Sequence, residues 1–215
     1  MTSREQILSD VRKALGRKAG QAPAAQPKAR IVIPVIAVED RVRLFQERLE
    51  VLGGKVHRAA TYAEAARVVG GLIEGNGAVA SNAAVLRYAG VTALAGVSSG
   101  YTDEPSLRAA CASAPFGITG ADYGLAETGS IVTVGANEAR LVSLLPPVHI
   151  ALLSKSRLLT GLDEFYTLHP RPAVGSASTV FITGPSRSAD IEMILVRGVH
   201  GPRVIHVIVV DEELI

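Results

Sequence analysis

A run of polar side chains lies between two apolar, strand-like segments in the middle of the chain. It reads A-D-Y-G-L-A-E-T-G-S-I over residues 121–131, with Asp122 near its start and Glu127 and Thr128 beyond its centre. Carboxylates and hydroxyls at the ends of buried strands are typical of sites that α/β proteins build on their loops. Glu127 is predicted to act as a general base, a nucleophile or a hydrogen-bond anchor. The alternative is structural, with Glu127 accepting backbone N–H bonds and Thr128 and Gly129 shaping a turn.

Sheet geometry predicts where the side chains of this run would lie. If the strand beginning near Ile131 returns antiparallel to a strand at 116–119, both ends of the run meet at one edge of the sheet. Ligands usually bind at such an edge in open α/β sheets. The side chains expected to crowd this rim are Asp122, Tyr123, Glu127, Thr128 and Ser130.

A second polar segment, T-G-P-S-R-S-A-D-I-E at residues 183–192, is predicted to run from a strand through a loop into a helix. Ser186 or Ser188 can cap that helix, and its free N–H groups with the Arg187 guanidinium would favour a carboxylate or phosphate. The segment lacks the G-K-[ST] of a Walker loop and the G-x-G-x-x-G of a dinucleotide fold. An ordinary capped helix is the alternative.

The five histidines show no spacing that indicates a metal site. His206 alternates with apolar residues along a buried strand, which predicts a core histidine with a satisfied hydrogen bond. His149 begins a strand after two prolines, and His200 lies in G-V-H-G-P at residues 198–202. Both are expected at the edges of elements, where they can line a pocket.

The elements that must position these groups alternate between helices and apolar strands. The patterns predict helices over 38–52, 61–73, 82–88, 105–112 and 189–197, and strands over 55–58, 78–81, 116–119, 131–134, 149–153, 179–183 and 204–210. The last strand is apolar on both faces, which is typical of a strand covered on both sides. The alternation predicts an α/β fold, a three-layer α/β/α sandwich with a largely parallel sheet.

The first 30 residues are predicted to be separate from this body. Ser3 and Gln6 form a capping-box pattern at the start of a short amphipathic helix within residues 1–16. Residues 17–30 are rich in Ala, Pro and basic side chains without periodicity, which indicates a linker, and the α/β body occupies 31–215. The apolar face of the helix is expected to fold back on the body or to dock on a partner.

Composition and charge exclude several classes of protein. The net charge of +2 is close to neutral and the basic residues are scattered, so nucleic acid is not the expected partner. The single cysteine, Cys111, allows no intramolecular disulfide and no four-thiolate iron–sulfur cluster, and it is predicted to be a small buried side chain. No apolar run approaches the roughly 18 residues of a membrane span, and the first residues do not resemble a secretory signal, so a cytoplasmic location is predicted.

Three motifs, in order, resemble those of the lactate-utilisation protein C family, whose members carry a LUD domain. They are A-D-Y-G-L-A-E-T-G-S-I-V at residues 121–132, S-L-L-P-P-V-H-I at 143–150, and T-G-P-S-R-S-A-D-I-E at 183–192 followed by G-V-H-G-P. The resemblance implies a fold like that of the NagB/RpiA/CoA-transferase group. It also implies a place in a bacterial three-component system that oxidises L-lactate to pyruvate, in which two cysteine-rich partner proteins carry iron–sulfur clusters.

Three hypotheses of function follow. In the first, the chain is a subunit of the lactate-oxidising complex and holds no cofactor itself: Arg187 and Ser186 hold the substrate carboxylate, Glu127 takes or orients a proton, and His149 or His200 assists. Asp122 and Thr128 are then expected to help bind the substrate. In the second hypothesis the chain is a non-catalytic assembly or stabilising subunit. In the third it is a stand-alone enzyme of the CoA-transferase or sugar-phosphate-isomerase kind that uses Glu127.

Overall fold

The computed structural model describes residues 2–18, 20–22, 33–135, 137–172, 176, 178–189 and 195–213. The chain divides into two units, Met1–Val32 and Ile33–Ile215. The helices are α1 (Ser3–Ala14), α2 (Val38–Val51), α3 (Tyr62–Ile73), α4 (Ala84–Tyr88), α5 (Glu104–Ser113), α6 (Asn137–Leu144) and α7 (Leu162–Leu168). The strands are β1 (Lys55–Ala59), β2 (Ala78–Ala80), β3 (Val97–Ser98), β4 (Phe116–Ala121), β5 (Tyr123–Leu125), β6 (Ser130–Val134), β7 (Val148–Ser154), β8 (Leu158–Leu159), β9 (Thr179–Ile182), β10 (Arg187–Ala189), β11 (Leu195–Arg197) and β12 (Val204–Val210).

Helix α1 belongs to the first unit and begins one residue earlier than the capping pattern predicts. Thr2 is the N-cap: its side chain accepts from the Glu5 N–H, and the Glu5 carboxylate accepts from the Thr2 N–H at 2.7 Å. The predicted box of Ser3 and Gln6 is wrong by this one position. Thr2 and Glu5 have the same spacing, and a charged carboxylate at N3 also interacts favourably with the positive end of the helix. Most of the predicted linker lies outside the described residues.

The second unit is organised around a six-stranded sheet of order β1-β12-β7-β4-β2-β3, in which every neighbouring pair is parallel. The central strands are rich in Val, Ile and Leu because both of their faces are covered. One face packs against α3 and α4 around Ile118, Ile150 and Leu152. The other face packs against α2 and against α5 and α6. The predicted three-layer α/β architecture is confirmed.

A second, four-stranded sheet of order β8-β5-β6-β9 was not predicted. Its residues Ile131 and Leu158 pack on Ala151 and Leu153 of the parallel sheet, so the two sheets pack against each other. Its other face is covered by Phe165 of α7. Strands β5 and β6 form an antiparallel hairpin within this second sheet, not with β4 as the sequence predicts. This hairpin carries the polar run.

The helix predicted over residues 189–197 is wrong in its described parts. Residues 187–189 and 195–197 are the strands β10 and β11, which pair antiparallel with Arg187 opposite Arg197. Their backbone groups are satisfied across the ladder rather than along a helix, because strand pairing depends on a partner that periodicity does not reveal. Residues 190–194 lie outside the described residues.

In the part of the chain that the structure describes, no helix combines the length and the apolar character needed to cross a membrane.

Candidate functional site

The candidate site is a cleft of about 520 Å³ at the carboxyl edge of the parallel sheet. Its floor is formed where the neighbouring strands β2, β4 and β7 end, at Ser81, Ala121 and Ser154. Parallel strands present all their carboxyl ends at one edge, so residues distant in sequence converge there. The other lining residues are Asn82, Ala83, Ala84, Val85, Gly120, Asp122, Tyr123, Thr133, Val134, Leu152, Arg157 and His169.

Charged and hydrogen-bonding side chains lie on one wall of this cleft. The Tyr123 hydroxyl is 2.8 Å from Nε2 of His169 and accepts from Nη1 of Arg157 at 3.4 Å. The Arg157 guanidinium also lies over the Tyr123 ring, with Cζ 5.6 Å from the ring centroid. A cation over an aromatic face is attracted by the ring quadrupole, so Tyr123 holds the guanidinium at the cleft.

Asp122 contributes the carboxylate of this wall. Its Oδ2 accepts from the Val134 N–H at 2.6 Å across the β5–β6 hairpin. The side chain is exposed to water on its cleft side, while the protein around it partly desolvates the carboxyl group and raises its pKa. The Val134 hydrogen bond and the charges of Arg157 and His169 oppose that rise. A carboxyl group balanced in this way can accept hydrogen bonds or exchange a proton with a ligand.

Ser81 lies at the opposite side of the cleft. It is 2% exposed, and its hydroxyl has no hydrogen-bond partner among the described residues. Its neighbour Asn82 is fully engaged, since it donates to the Tyr101 carbonyl at 2.8 Å and accepts from the Gly100 N–H at 3.1 Å. A buried hydroxyl without a partner is rare in folded proteins and calls for an explanation.

The other half of the same sheet edge is closed by ion pairs. Beyond β7, β12 and β1, two cations meet two carboxylates: Arg58 with Asp211 at 2.6 Å, and Lys155 with Glu39 at 3.0 Å. Lys155 also approaches Asp211 at 3.2 Å. By contrast, Arg157 forms no ion pair with any carboxylate of the described residues. Among the described residues of this edge, Arg157 is therefore a cation without an ion-pair partner, and it lines the cleft.

The predicted common rim for the polar run is wrong. Asp122 and Tyr123 line the cleft, whereas Glu127, Thr128 and Ser130 lie at the far, turn end of the hairpin, because β5 carries the chain away from the edge. Glu127 is exposed, its N–H donates to the Thr160 carbonyl at 2.9 Å, and its carboxylate lies over Gly161.

The turn itself packs on helix α2. Thr128, Ser130 and Thr183 form a chain of hydroxyls with two contacts of 2.7 Å, which joins the first polar segment to the second. Gly129 lies against the backbone of Arg48 and Leu49, and its N–H donates to the Leu125 carbonyl at 2.9 Å. Thr128 and Gly129 thus shape a turn, as the structural alternative predicts.

Arg187 and Ser186 also lie away from the cleft. Nη2 of Arg187 donates to the Leu52 carbonyl at the carboxyl end of α2, where a cation is favoured by the helix dipole. The Ser186 backbone N–H and carbonyl bond to Pro202 and Gly198. The two polar segments do meet, but around the end of α2 and not at the cleft.

His149 and His200 do not share a site either. His149 is fully buried on β7, on the same face as Ala151, and its Nε2 lies 2.8 Å from the Thr119 hydroxyl. The expectation that it lines a pocket is wrong, because β7 is a central strand whose two faces are both covered, so this side chain lies in the core. His200 lines a depression of about 350 Å³ with Leu144, Leu145, Pro147, Gly198, Val199, Gly201 and Arg203, several of which precede β7 or β12 and so lie at the amino edge of the sheet.

Two other predictions about core residues are confirmed. His206 is 7% exposed and its Nδ1 lies 2.9 Å from Nε2 of His57 on the neighbouring strand. Cys111 is fully buried among Val79, Leu107 and Val142, and burial raises the pKa of its thiol.

The sequence pattern did not reveal Ser81, Arg157 or His169 as site residues. Ser81 carries a usable signal, because it is the last residue of the strand predicted over 78–81, which ends at the sheet edge. Arg157 and His169 carry none: they lie in a short helical turn and at the end of α7, and only the second sheet and the packing of α7 bring them to Tyr123.

The LUD domain profile matches residues 42–210. Curated relatives named Lactate utilization protein C include one from Halalkalibacterium halodurans, 44% identical over 117 residues, and one from Bacillus subtilis, 42% identical over 92 residues. These matches cover 52% and 40% of this chain, and 51% and 38% of the relatives, so the chain spans about half or less of their length.

The fold has a solved counterpart in a DUF162 family protein from Deinococcus radiodurans. The two superpose with a TM-score of 0.62 at 20% identity, covering 82% of this chain and 100% of that chain. At this identity the likeness concerns the fold. The family resemblance inferred from the three sequence motifs is confirmed by the profile, which extends over most of the second unit and includes both the cleft and the hairpin. The chain therefore belongs to the LUD domain family.

Proposed function

We propose that this protein is a cytoplasmic component of a lactate utilisation system, and that it works with two iron–sulfur partner proteins in the oxidation of L-lactate to pyruvate. The observation that carries this proposal is the similarity to relatives named Lactate utilization protein C. The single cysteine of the sequence supports a division of labour in which clusters, each needing several thiolates, belong to the partners.

The cleft supplies the chemistry that a small carboxylate needs. Arg157 is an accessible guanidinium that forms no ion pair with the described carboxylates, and guanidinium binds carboxylate through paired hydrogen bonds. It takes the role first expected of Arg187, whose guanidinium is engaged at the end of α2. Asp122 replaces Glu127 as the carboxyl group nearest to a bound substrate, because Glu127 lies outside the cleft.

The oxidation of lactate to pyruvate releases two electrons and two protons. In this proposal the electrons pass to the clusters of the partner proteins, and this chain binds and orients the acid. The role fits a subunit that presents a polar cleft at a sheet edge and leaves electron transfer to other chains.

The test is lactate-dependent reduction of a dye by the two partner proteins, with and without this chain. We expect reduction only when the chain is present, and a loss of roughly tenfold or more with Arg157→Gln, since a charged hydrogen bond contributes about 1.5–3 kcal/mol. Arg67→Gln is the matched control, because Arg67 is an exposed arginine of α3 outside the cleft. Equal reduction without the chain would refute the proposal.

A second role, in assembly, is favoured by α1. Ile7, Val11 and Leu15 recur every four residues and so lie on one face of a helix whose residues are all unburied. If this face holds the partners, removal of residues 1–20 abolishes their co-purification and Arg157→Gln leaves it intact. Co-purification that survives the truncation excludes this second role.

A further inference from the structure

One wall of the cleft carries a cation, Arg157, and a hydrogen-bond acceptor, Asp122, that do not bind each other. Arg157 and Asp122 line the same cleft, and the charge of Arg157 acts on the Asp122 carboxyl, but the two form no ion pair. Other opposite charges at this sheet edge do pair, at 2.6 to 3.6 Å. A guanidinium and a carboxylate that face one space without contact leave room for a ligand that carries both an acid group and a donor.

Both groups are fixed in position by their neighbours. Arg157 lies over the Tyr123 ring, and Tyr123 is fixed in turn by the His169 imidazole and by edge contacts with Phe165. Asp122 is anchored by the Val134 N–H on Oδ2, and among the described residues its Oδ1 accepts no hydrogen bond. Tyr123 and His169 are therefore positioning residues for the cation, and the hairpin positions the acceptor.

These two groups match the two ends of a 2-hydroxy acid. A carboxylate binds Arg157, and a hydroxyl on the adjacent carbon donates to Oδ1 of Asp122. A 2-oxo acid has the same carboxylate, but it presents a carbonyl oxygen to Asp122, which sets acceptor against acceptor. The hydroxy acid therefore gains a hydrogen bond to a charged group that the oxo acid lacks.

We propose that the Asp122–Arg157 pair is a binding subsite for 2-hydroxycarboxylates, in which Arg157 holds the acid group and Asp122 selects the hydroxy acid over the 2-oxo acid. The choice of this substrate class rests on the proposed function, and the placement of the two groups rests on the structure alone. In a reaction that turns a hydroxy acid into an oxo acid, this selection favours release of the product.

The far side of the cleft carries an independent sign of a ligand. Ser81 lines the same cleft from the end of β2, and its buried hydroxyl has no partner among the described residues. Strands β7 and β2 are separated by β4, so their ends lie about 10 Å apart at the usual strand spacing. The subsite therefore occupies one end of the cleft, and 2-hydroxy acids longer than lactate are expected to fit as well.

The experiment measures binding to the isolated full chain by titration calorimetry or ligand-observed NMR. The ligands are L-lactate, pyruvate, propionate and 2-hydroxybutyrate, which differ only at the 2-position or in length. We expect both hydroxy acids to bind roughly tenfold or more tightly than pyruvate and propionate, as one satisfied hydrogen bond to a charged group provides. Equal binding of all four acids, or no binding of the hydroxy acids at millimolar concentration, overturns the proposal.

Variants separate the two roles. Arg157→Gln is expected to weaken all four acids by roughly tenfold or more, since each carries the carboxylate. Asp122→Asn removes a negative charge and so favours every anion, but the amide can donate to a carbonyl. The role of Asp122 is therefore measured by the ratio of lactate to pyruvate affinity, which we expect to fall roughly tenfold in the Asp122→Asn variant.

The controls are Arg67→Gln on α3 and Asp163→Asn on α7, both exposed and outside the cleft. An unchanged ratio in folded Asp122→Asn refutes the role of Asp122, and if that variant does not fold, the wild-type preference among the four acids decides. Dye reduction that needs the chain, with no binding by the isolated chain, would refute this subsite and leave the proposed function standing. Selective binding of the hydroxy acids, together with dye reduction that does not need the chain, would support this subsite and refute the proposed function.

Discussion

A Gly129→Ala variant is expected to lose about 2–5 kcal/mol of its free energy of unfolding, a large part of the 5–15 kcal/mol typical of a folded domain. A Cβ at this position would lie 2.5 Å from the Leu49 backbone nitrogen and 2.9 Å from the Arg48 carbonyl carbon. Backbone atoms in the last turn of α2 cannot move aside as the end of a side chain can, and overpacking of this kind costs about 1–3 kcal/mol or more. The left-handed φ of +66° adds about 1–2 kcal/mol for any residue with a Cβ.

Gly90→Ala is the matched control. Gly90 has a similar φ of +77°, but no atom lies within 4 Å of its would-be Cβ, so only the conformational cost remains. Urea unfolding of both variants should therefore show Gly129→Ala as the more destabilised by about 1–3 kcal/mol. If the two variants lose the same amount, the hairpin turn does not pack tightly on α2, and the structural role of the polar run is refuted.

The second large effect is a loss of stability in mild acid. Burial lowers the pKa of His149 to about 4, and burial together with the charges of His57 and Lys55 lowers that of His206 to about 4. Above the ordinary value of 6.5 both states are neutral and these residues add no pH dependence. Between pH 6.5 and 4 the unfolded chain binds a proton that the folded chain does not, so the free energy of unfolding decreases as the pH is lowered. Below pH 4 this loss of stability is complete. Each residue is expected to remove about 2 kcal/mol between pH 6.5 and pH 5.

Urea unfolding at pH 8, 7 and 5 measures this effect. We expect little change from pH 8 to 7 and a marked drop at pH 5, in a window above the ordinary pKa of carboxyl groups. Because the pKa of Asp122 is raised, its protonation stabilises the folded chain as the pH is lowered, which opposes the effect of the two histidines. The drop is therefore assigned to His149 and His206 with the variants His149→Gln and His206→Gln. Each variant should reduce the drop by about 2 kcal/mol, since Gln can hydrogen-bond without titrating. A drop of unchanged size in both variants would show that other groups cause it.

These two predictions concern residues that the sequence marks as chemically interesting and that the structure assigns to packing. The Glu127–Ser130 turn and Arg187 enclose the carboxyl end of α2, and His149 bonds within the core. The cleft is built from other residues, and the binding experiments on Asp122 and Arg157 test it separately from stability.

The amino-acid sequence by itself determined the fold class and most elements of the parallel sheet. Strand β12 is β-branched at every position except His206, and α3 has a Thr61 cap before an apolar stripe, so local propensity and burial favour the same structure. The sequence also determined that Asp122 lies at a sheet edge, because β4 leads directly to it. The burial of His206 follows from the alternation along its strand, and that of Cys111 from the usual burial of free cysteines.

Only the tertiary structure decided which polar groups meet. The hairpin of β5 and β6 joins a second sheet through partners at β8 and β9, and the strands β10 and β11 form where a helical period is present. Strand pairing depends on hydrogen-bond partners far along the chain, which a local pattern does not contain. Arg157 and His169 reach Asp122 through those pairings and through α7, so no spacing in the sequence could have placed them together.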